Sequence, residues 1–135
     1  MAELEAQLTE RVATLEAAEE IRALVARHAL AYDARDLTTL AELYAPDVRE
    51  RALAGLVAAL PPGRSFHLTA DPEVSFTAPE RARAQVVCRR EQESGEEWIV
   101  AGVVFSDEYV RHEGRWYVQS RSERVAYAAD VLARP

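Results

Sequence analysis

The sequence predicts an α+β protein in which helices come first and pack against a curved, mainly antiparallel sheet. Two observations lead to this fold class. Through roughly the first 60 residues, apolar side chains recur every three or four positions, which is the period of a helix face. From residue 65 onward they alternate with polar side chains, which is the period of a strand. No repeat, linker or low-complexity segment interrupts these patterns.

The stretch of residues 18–48 organises the helical part. Its first half carries an apolar stripe at helical spacing, made of Ile21, Leu24, Val25, His28 and Tyr32. A break is expected at residues 34–35, because the carboxylate of Asp36 can cap a second helix. Pro46 marks the end of that helix, since proline has no backbone N–H. A third, short helix is predicted over residues 48–60, with Pro-Pro-Gly after it.

Five strands are expected in the second half, over residues 65–70, 74–77, 81–92, 97–111 and 115–125. Short turns join the last three, which predicts an antiparallel meander. We divide the chain into an N-terminal helical extension (1–17), the folded domain (18–126) and a C-terminal tail (127–135) that covers the domain or frays. The extension has an apolar stripe of Leu4, Leu8, Val12 and Leu15, which suits packing on its own domain or pairing with a partner helix.

Composition excludes several classes of function. The 135 residues are 49% hydrophobic, enough for one core, and the formal charge of −7 argues against binding to nucleic acid or anionic membranes. No apolar run reaches the roughly 20 residues of a membrane span. A single Cys favours a reducing cytoplasm. The chain has no Lys, hence no Schiff-base lysine, and its three scattered His give no metal site.

The chain resembles the NTF2-like superfamily, within it the SnoaL-like polyketide cyclases and scytalone-dehydratase-like proteins. The residues that carry the resemblance are Tyr32-Asp33-Ala34-Arg35-Asp36-Leu37, Leu43-Tyr44-Ala45-Pro46-Asp47-Val48, Ser65-Phe66-His67-Leu68, Tyr109-Val110-Arg111 and Gly114-Arg115-Trp116-Tyr117-Val118. The resemblance implies a cone-shaped half-barrel with an apolar pocket, no metal, no cofactor and a homodimer. The chain departs from the dehydratase pattern in lacking a second pocket His, a pocket Asn and a hairpin after Pro46.

In the dehydratase-like branch, a Tyr-Asp pair on the first long helix faces a His on a strand. Tyr32, Asp33 and His67 match those positions, so the resemblance makes them the candidate catalytic residues. His67 has the intrinsic pKa of a neutral-pH acid or base, and Asp33 would fix its tautomer and favour its protonated form. Tyr32 would donate a hydrogen bond to a carbonyl as it gains enolate character. An arginine is an equally good partner for Asp33, and strand residues 65, 67 and 69 also suit a solvated face. His28, Tyr44, Phe105 and Trp116 are the expected substrate-binding residues.

Two functions remain open at this point. The first is a small cofactor-independent lyase or isomerase, a dehydratase or aldol-type cyclase, that acts on a polyketide-like or aromatic carbonyl compound. The second is a non-catalytic module that binds a ligand or serves assembly. A pocket that is apolar throughout, with Asp33 paired to arginine, would favour the second.

Overall fold

The computed structural model describes residues 1–132 and confirms the α+β fold class. Its helices are α1 (Ala2–Asp33), α2 (Leu37–Glu42) and α3 (Arg49–Ala59). Its strands are β1 (Ser65–Thr69), β2 (Val74–Ala78), β3 (Arg81–Ser94), β4 (Glu97–His112) and β5 (Arg115–Leu132). As the sequence indicates, no hairpin separates α2 from α3, and α3 begins three positions after Pro46.

The sheet is antiparallel, with the strand order β1-β3-β4-β5. Strand β2 also pairs with β3, so that β1 and β2 share one edge of that long strand. β2 pairs with residues 81–84 of β3, whereas β1 pairs with residues 88–92. The predicted meander of the last three strands is therefore correct. It brings β1 into line with the C-terminal half of β3, the first part of β4 and the last part of β5.

The C-terminal strand is longer than the sequence pattern predicts. β5 continues to Leu132 instead of leaving the sheet at residue 126, and its last part pairs with the start of β4. The run of Ala126, Ala128 and Ala129 hides the alternation of apolar and polar residues, and a register shift at Gly102/Val103 interrupts it further. The predicted tail also includes residues 133–135, which lie outside the described part of the chain.

Helix α1 is one continuous helix with two different environments. Residues 1–16 are exposed, whereas buried residues from Ala18 to Ala31 pack on the domain. The break at residues 34–35 is where the sequence predicts it, and the Asp36 side chain accepts a hydrogen bond from the backbone N–H of Thr39 at 3.1 Å. Within residues 1–132, no helix is long and apolar enough to cross a membrane.

The core lies between the helices and the inner face of the sheet. Its most buried large side chains include Ile21, Leu40, Val86, Val103, Tyr109 and Val118. Backbone hydrogen bonds join the end of α2 to β5, from Ala45 N–H to Val118 and from Val118 N–H to Leu43. This contact holds the helices at one end of the sheet and leaves a space at the other end.

Candidate active site

A cavity of about 760 Å³ opens between the helices and the inner face of the sheet. Three of the four predicted substrate-binding residues line it, namely His28, Tyr44 and Phe105, together with the candidate catalytic residues Tyr32 and His67. Charged side chains also reach it, including Arg51, Arg90, Arg121 and Glu123. The cavity is therefore an apolar space with several charged groups in its wall.

The end of α1 places Tyr32 in the wall of this cavity and Asp33 behind it, in contact with His67. The backbone N–H groups of Asp36 and Arg35 bond the carbonyls of Ala31 and Tyr32, which closes the helix with a Schellman turn. Glycine usually occupies the left-handed position of this turn, but here Arg35 adopts it with φ of 57°.

The guanidinium of Arg35 holds the loop before β1 against this helix end. It donates hydrogen bonds to the carbonyls of Tyr32, Pro61 and Gly63 and to the Ser65 hydroxyl. These bonds fix the start of β1 relative to the last turn of α1. As a result, the Asp33 carboxylate meets the residues of β1 directly.

Asp33 and His67 form the centre of the site. His67 Nδ1 lies 2.7 Å from Asp33 Oδ1, and the backbone N–H of His67 donates to Asp33 Oδ2 at 2.8 Å. The Ser65 hydroxyl donates to Asp33 Oδ1 at 2.8 Å. Of the two partners that the sequence left open for Asp33, the structure thus selects histidine and not arginine.

The orientation of β1 explains this choice. Phe66 and Leu68 point away from the domain and are more than half exposed, whereas Ser65, His67 and Thr69 face inward. The period-2 pattern assigned these residues to two faces correctly, but hydrophobicity alone suggested that the polar face meets solvent. Here the polar face lines the cavity, because a carboxylate at the end of α1 requires partners there.

Burial lowers the pKa of His67 below its ordinary value of 6.5. The hydrogen bond and charge of Asp33 act in the opposite direction, and Arg90 and Arg121 lower the pKa further. Asp33 therefore raises the pKa of His67, as expected, but its effect is smaller than that of the groups that lower it. The net shift of the His67 pKa is downward. At neutral pH the ring is neutral, with its proton on Nδ1 facing Asp33 and a lone pair on Nε2.

Tyr32 stands beside this histidine. The two rings meet edge to face with centroids 5.0 Å apart. Burial raises the pKa of the Tyr32 phenol, so that the hydroxyl keeps its proton at neutral pH. Within residues 1–132 the hydroxyl has no hydrogen-bond partner, which leaves it available to a ligand in the cavity.

A second polar cluster reaches the cavity through the predicted residues His28 and Tyr44, but its ion pair was missed at the sequence level. Arg121 donates to both carboxylate oxygens of Asp107 at 2.7 Å and approaches His28 Nδ1 at 3.2 Å. His28 Nε2 lies 2.9 Å from the Tyr44 hydroxyl, and Tyr109 donates to Asp107 at 2.6 Å. We call these five residues the inner cluster. Its sequence signal is weak, because Asp107 and Arg121 look like ordinary charged residues in two long strands.

Burial controls the ionisation of the inner cluster. It lowers the pKa of His28 well below 6.5, and the adjacent charge of Arg121 acts in the same direction. It also raises the pKa of Tyr44 to about 12. The guanidinium of Arg121 loses hydration on burial, but its bonds to Asp107 raise its pKa overall. The cluster therefore contains one ion pair and a neutral histidine at neutral pH.

Arg90 and Glu123 form a further ion pair at the cavity wall, with Arg90 Nη1 2.8 Å from Glu123 Oε2. Both side chains are partly exposed. Arg90 is also directly opposite His67 in the pairing of β1 with β3. This pair therefore brings two charges of opposite sign close to the candidate base.

Trp116 does not line the cavity, so its predicted role in substrate binding is wrong. It is buried in the core and meets Phe76 edge to face, with centroids 5.8 Å apart. Periodicity along a strand does not show whether an inward-facing aromatic side chain lines a cavity or fills the core. Cys88 is buried, which raises the pKa of its thiol, as expected for an ordinary strand cysteine. Within residues 1–132, no three His, Cys, Asp or Glu side chains form a group that could hold a metal ion.

Solved structures of similar shape support the fold. A hexachlorocyclohexane dehydrochlorinase, LinA type 2, superposes with a TM-score of 0.79 at 18% identity, covering 92% of this chain and 95% of the other. LinA type 3 from Novosphingobium barchaimii LL02 gives 0.77 at 16% identity, covering 93% and 99%. A candidate scytalone dehydratase from Novosphingobium aromaticivorans gives 0.72 at 16% identity, covering 90% and 91%. No curated protein matches the chain by sequence.

The family is shown by a sequence model that describes a SnoaL-like domain and matches residues 13–122. The matched residues run from the exposed half of α1 to β5, and they include both Asp33 and His67. Together with the NTF2-like cone of helices on a curved sheet, this match shows that the chain belongs to the SnoaL-like domain family.

Proposed function

We propose that this chain is a small cofactor-independent lyase or isomerase, a dehydratase or an aldol-type cyclase, that acts on a polyketide-like or aromatic carbonyl compound. The observation that carries the proposal is the 2.7 Å contact between His67 Nδ1 and Asp33 at the wall of a 760 Å³ cavity. A neutral imidazole held by a carboxylate is a suitable general base. We expect it to act in the cytoplasm.

The proposed chemistry begins at the carbon next to a substrate carbonyl. His67 Nε2 takes a proton from this carbon, and the electron pair of the broken C–H bond forms an enolate. The Tyr32 hydroxyl donates a hydrogen bond to the enolate oxygen, where negative charge develops. Burial keeps that hydroxyl protonated, because it raises the pKa of Tyr32.

The enolate can then react in two ways, and each of them uses the proton that His67 has taken. In a dehydration, the enolate re-forms its carbonyl and expels the hydroxyl group from the next carbon, and the proton on His67 Nε2 completes a water molecule. In an aldol-type closure, the enolate carbon attacks a second carbonyl, and the same proton neutralises the new alkoxide. Both outcomes return His67 to its neutral form without any other reactant.

Two further observations support an enzyme. The words dehydrochlorinase and dehydratase, which describe structures similar to this one, both denote removal of a small molecule from a substrate. In addition, a passive carrier would be expected to have an apolar wall and an Asp33 neutralised by arginine. The wall instead contains His67, Arg90 and Arg121, and Asp33 bonds His67.

Isotope exchange tests the proposed base without knowledge of the natural substrate. A panel of bicyclic aromatic ketones with a hydroxyl group on the β-carbon is incubated with the protein in D₂O. NMR follows deuterium entry at the carbon next to the carbonyl, and ultraviolet absorbance follows enone formation. We expect exchange with the native chain and a loss of about 100-fold or more in His67→Gln, the usual contribution of a general base.

His112→Gln is the matched control, because His112 is exposed at the end of β4. It should retain the native rate. Equal rates in native and His67→Gln protein would rule out His67 as the base. If no ketone of the panel exchanges above the buffer rate, the proposed substrate class is wrong.

A further inference from the structure

The N-terminal half of α1 presents an apolar stripe to solvent. Residues 1–16 are all exposed, and the stripe of Leu4, Leu8, Val12 and Leu15 is 48–67% exposed. We call residues 1–16 the arm. An exposed row of four large aliphatic side chains on one helix face is typical of a surface that binds another protein.

The stripe lies on the opposite side of the helix from the face that packs on the domain. At 3.6 residues per turn, the stripe is rotated about 150° from the buried face formed by Ile21, Leu24, Val25 and His28. The helix is continuous from Ala2 to Asp33, so the arm cannot fold back onto its own domain. Its partner must therefore come from outside this molecule.

The outer face of the sheet is the second uncovered apolar surface. Phe66, Leu68, Val87 and Tyr127 are 53–60% exposed, and the pairing register places them on neighbouring strands. The Tyr127 ring lies over Gly102, where any side chain would collide with it. We call these four side chains the outer patch.

The charges of the arm and the outer patch are complementary. Although the chain carries −7 overall, exposed Arg89 and Arg124 flank the patch; Arg89 is directly opposite Leu68, and Arg124 is directly opposite Val104. Glu91, directly opposite Phe66, lies 3.4 Å from Arg89 and neutralises part of this charge, so the patch keeps one unopposed arginine, Arg124, among these three side chains. The arm carries four Glu and one Arg; Glu5 and Glu16 lie along one side of its stripe, and Arg11 lies on the other side. The dimensions also agree, since the stripe is about 16 Å long and the four strands β1-β3-β4-β5 span about 14 Å.

We infer that the arm of one chain docks on the outer patch of a second copy of this chain, and that the exchange is reciprocal. Under two-fold symmetry the contact between arm and outer patch occurs twice, so the dimer buries twice the area of one contact. Pairing between the two arms is a weaker alternative, because the stripe covers fewer than the three or four heptads that a coiled coil requires. The homodimer expected from the sequence thus acquires a specific interface.

Charge reversal tests this interface by sedimentation equilibrium of the full-length chain. The native protein should dimerise. Both Glu5→Arg/Glu16→Arg and Arg89→Glu/Arg124→Glu should raise the dimer dissociation constant by about tenfold or more, because like charges then meet. Combining all four substitutions should restore the native constant. Glu3→Arg/Glu10→Arg is the matched control, since it changes the charge equally on the opposite side of the arm.

A monomeric native chain, or a fourfold variant that dimerises no better than its parents, would overturn the inference. Cross-linking distinguishes docking of the arm on the outer patch from pairing of two arms or of two outer faces. It uses chains with Cys88→Ala, so that each carries only the introduced cysteine. When Leu8→Cys and Val87→Cys chains are mixed with diamide, we expect the disulfide to join one chain of each kind. Disulfides only between two Leu8→Cys chains would show arm pairing, and only between two Val87→Cys chains would show pairing of two outer faces; either result would contradict the inference.

Discussion

Arg121 fixes the protonation state of His28. The Arg121 Nη1 atom lies 3.2 Å from His28 Nδ1, and a guanidinium can only donate, so Nδ1 must accept and carries no proton. The proton of the neutral ring is then on Nε2, which donates to the Tyr44 hydroxyl at 2.9 Å. That bond leaves the hydroxyl proton of Tyr44 free to point toward a ligand in the cavity.

The depressed pKa of His28 makes stability depend on pH. Burial and Arg121 lower this pKa in the folded state, whereas the unfolded chain titrates near 6.5. The unfolded state therefore binds more protons below that pH, and the free energy of unfolding falls as pH decreases below about 6.5, by at most about 1.4 kcal/mol per pH unit for one histidine. Above pH 6.5 the full stability is present.

Urea denaturation at pH 7.5 and 5.5 measures this effect. His28→Gln, which can still donate to Tyr44 and accept from Arg121, should show a smaller loss of stability on acidification than the native chain. His112→Gln should lose as much as the native chain, because that side chain is exposed. Equal acid sensitivity in native and His28→Gln protein would show that His28 is protonated in the folded state.

Removal of the Asp33 charge should lower the pKa of His67 further. Burial already lowers this pKa, and the hydrogen bond and charge of Asp33 partly compensate. In Asp33→Asn the compensation by charge is lost, so the imidazole should protonate at a lower pH than in the native chain. NMR titration of the His67 ring protons, assigned by their absence in His67→Gln, measures both values. A raised pKa in Asp33→Asn would mean that Asp33 does not face this ring in solution.

The sequence determined the outline of the site because its main contacts are local to recognisable elements. Asp33 follows an apolar stripe at the end of a long helix, and the polar face of residues 65–69 alternates with a hydrophobic one. The residue types and their periodicity, together with the resemblance to the dehydratase-like proteins, identified Tyr32, Asp33 and His67 as candidates. They were not enough to choose between histidine and arginine as the partner of Asp33, since that choice depends on the loop held by Arg35.

The contacts of the inner cluster could not be predicted, because they depend on the register of two paired strands and join Arg121 to His28, 93 positions earlier in the chain. Asp107 and Arg121 are 14 residues apart and meet only through the pairing of β4 with β5. The register shift between Glu108 and Tyr109 also means that cross-strand partners cannot be found by counting residues from the turn. Trp116 shows the converse problem, since an inward-facing aromatic side chain fills the core as well as it lines a cavity.

The ion pair between Asp107 and Arg121 should be costly to break from one side. Asp107 is only 2% exposed, and its carboxylate accepts two bonds from Arg121 and one from Tyr109. Asp107→Ala leaves the guanidinium without its counter-ion in a largely buried place, and we expect a loss of about 3 kcal/mol in the free energy of unfolding.

The double variant Asp107→Ala/Arg121→Met separates this charge effect from the loss of packing. It removes both charges, so it should be more stable than Asp107→Ala alone when both are measured by urea denaturation at pH 7.5. If the loss of stability in the double variant equals the sum of the losses in Asp107→Ala and Arg121→Met, water in the cavity already hydrates Arg121. The ion pair would then contribute little to stability.

Arg35 combines a strained backbone with a set of hydrogen bonds, and two substitutions separate the two effects. Arg35→Met and Arg35→Gly both remove the bonds to the loop before β1, but only glycine adopts a φ of 57° without strain. Both variants should be less stable than the native chain by urea denaturation, and Met should be worse than Gly by about 1 kcal/mol. Equal stabilities would mean that the turn changes its conformation when the guanidinium is lost.

Because the same loop presents His67 to Asp33, both Arg35 variants should also reduce deuterium exchange into the ketone panel. Arg27→Met, on the exposed side of α1, should not reduce this exchange.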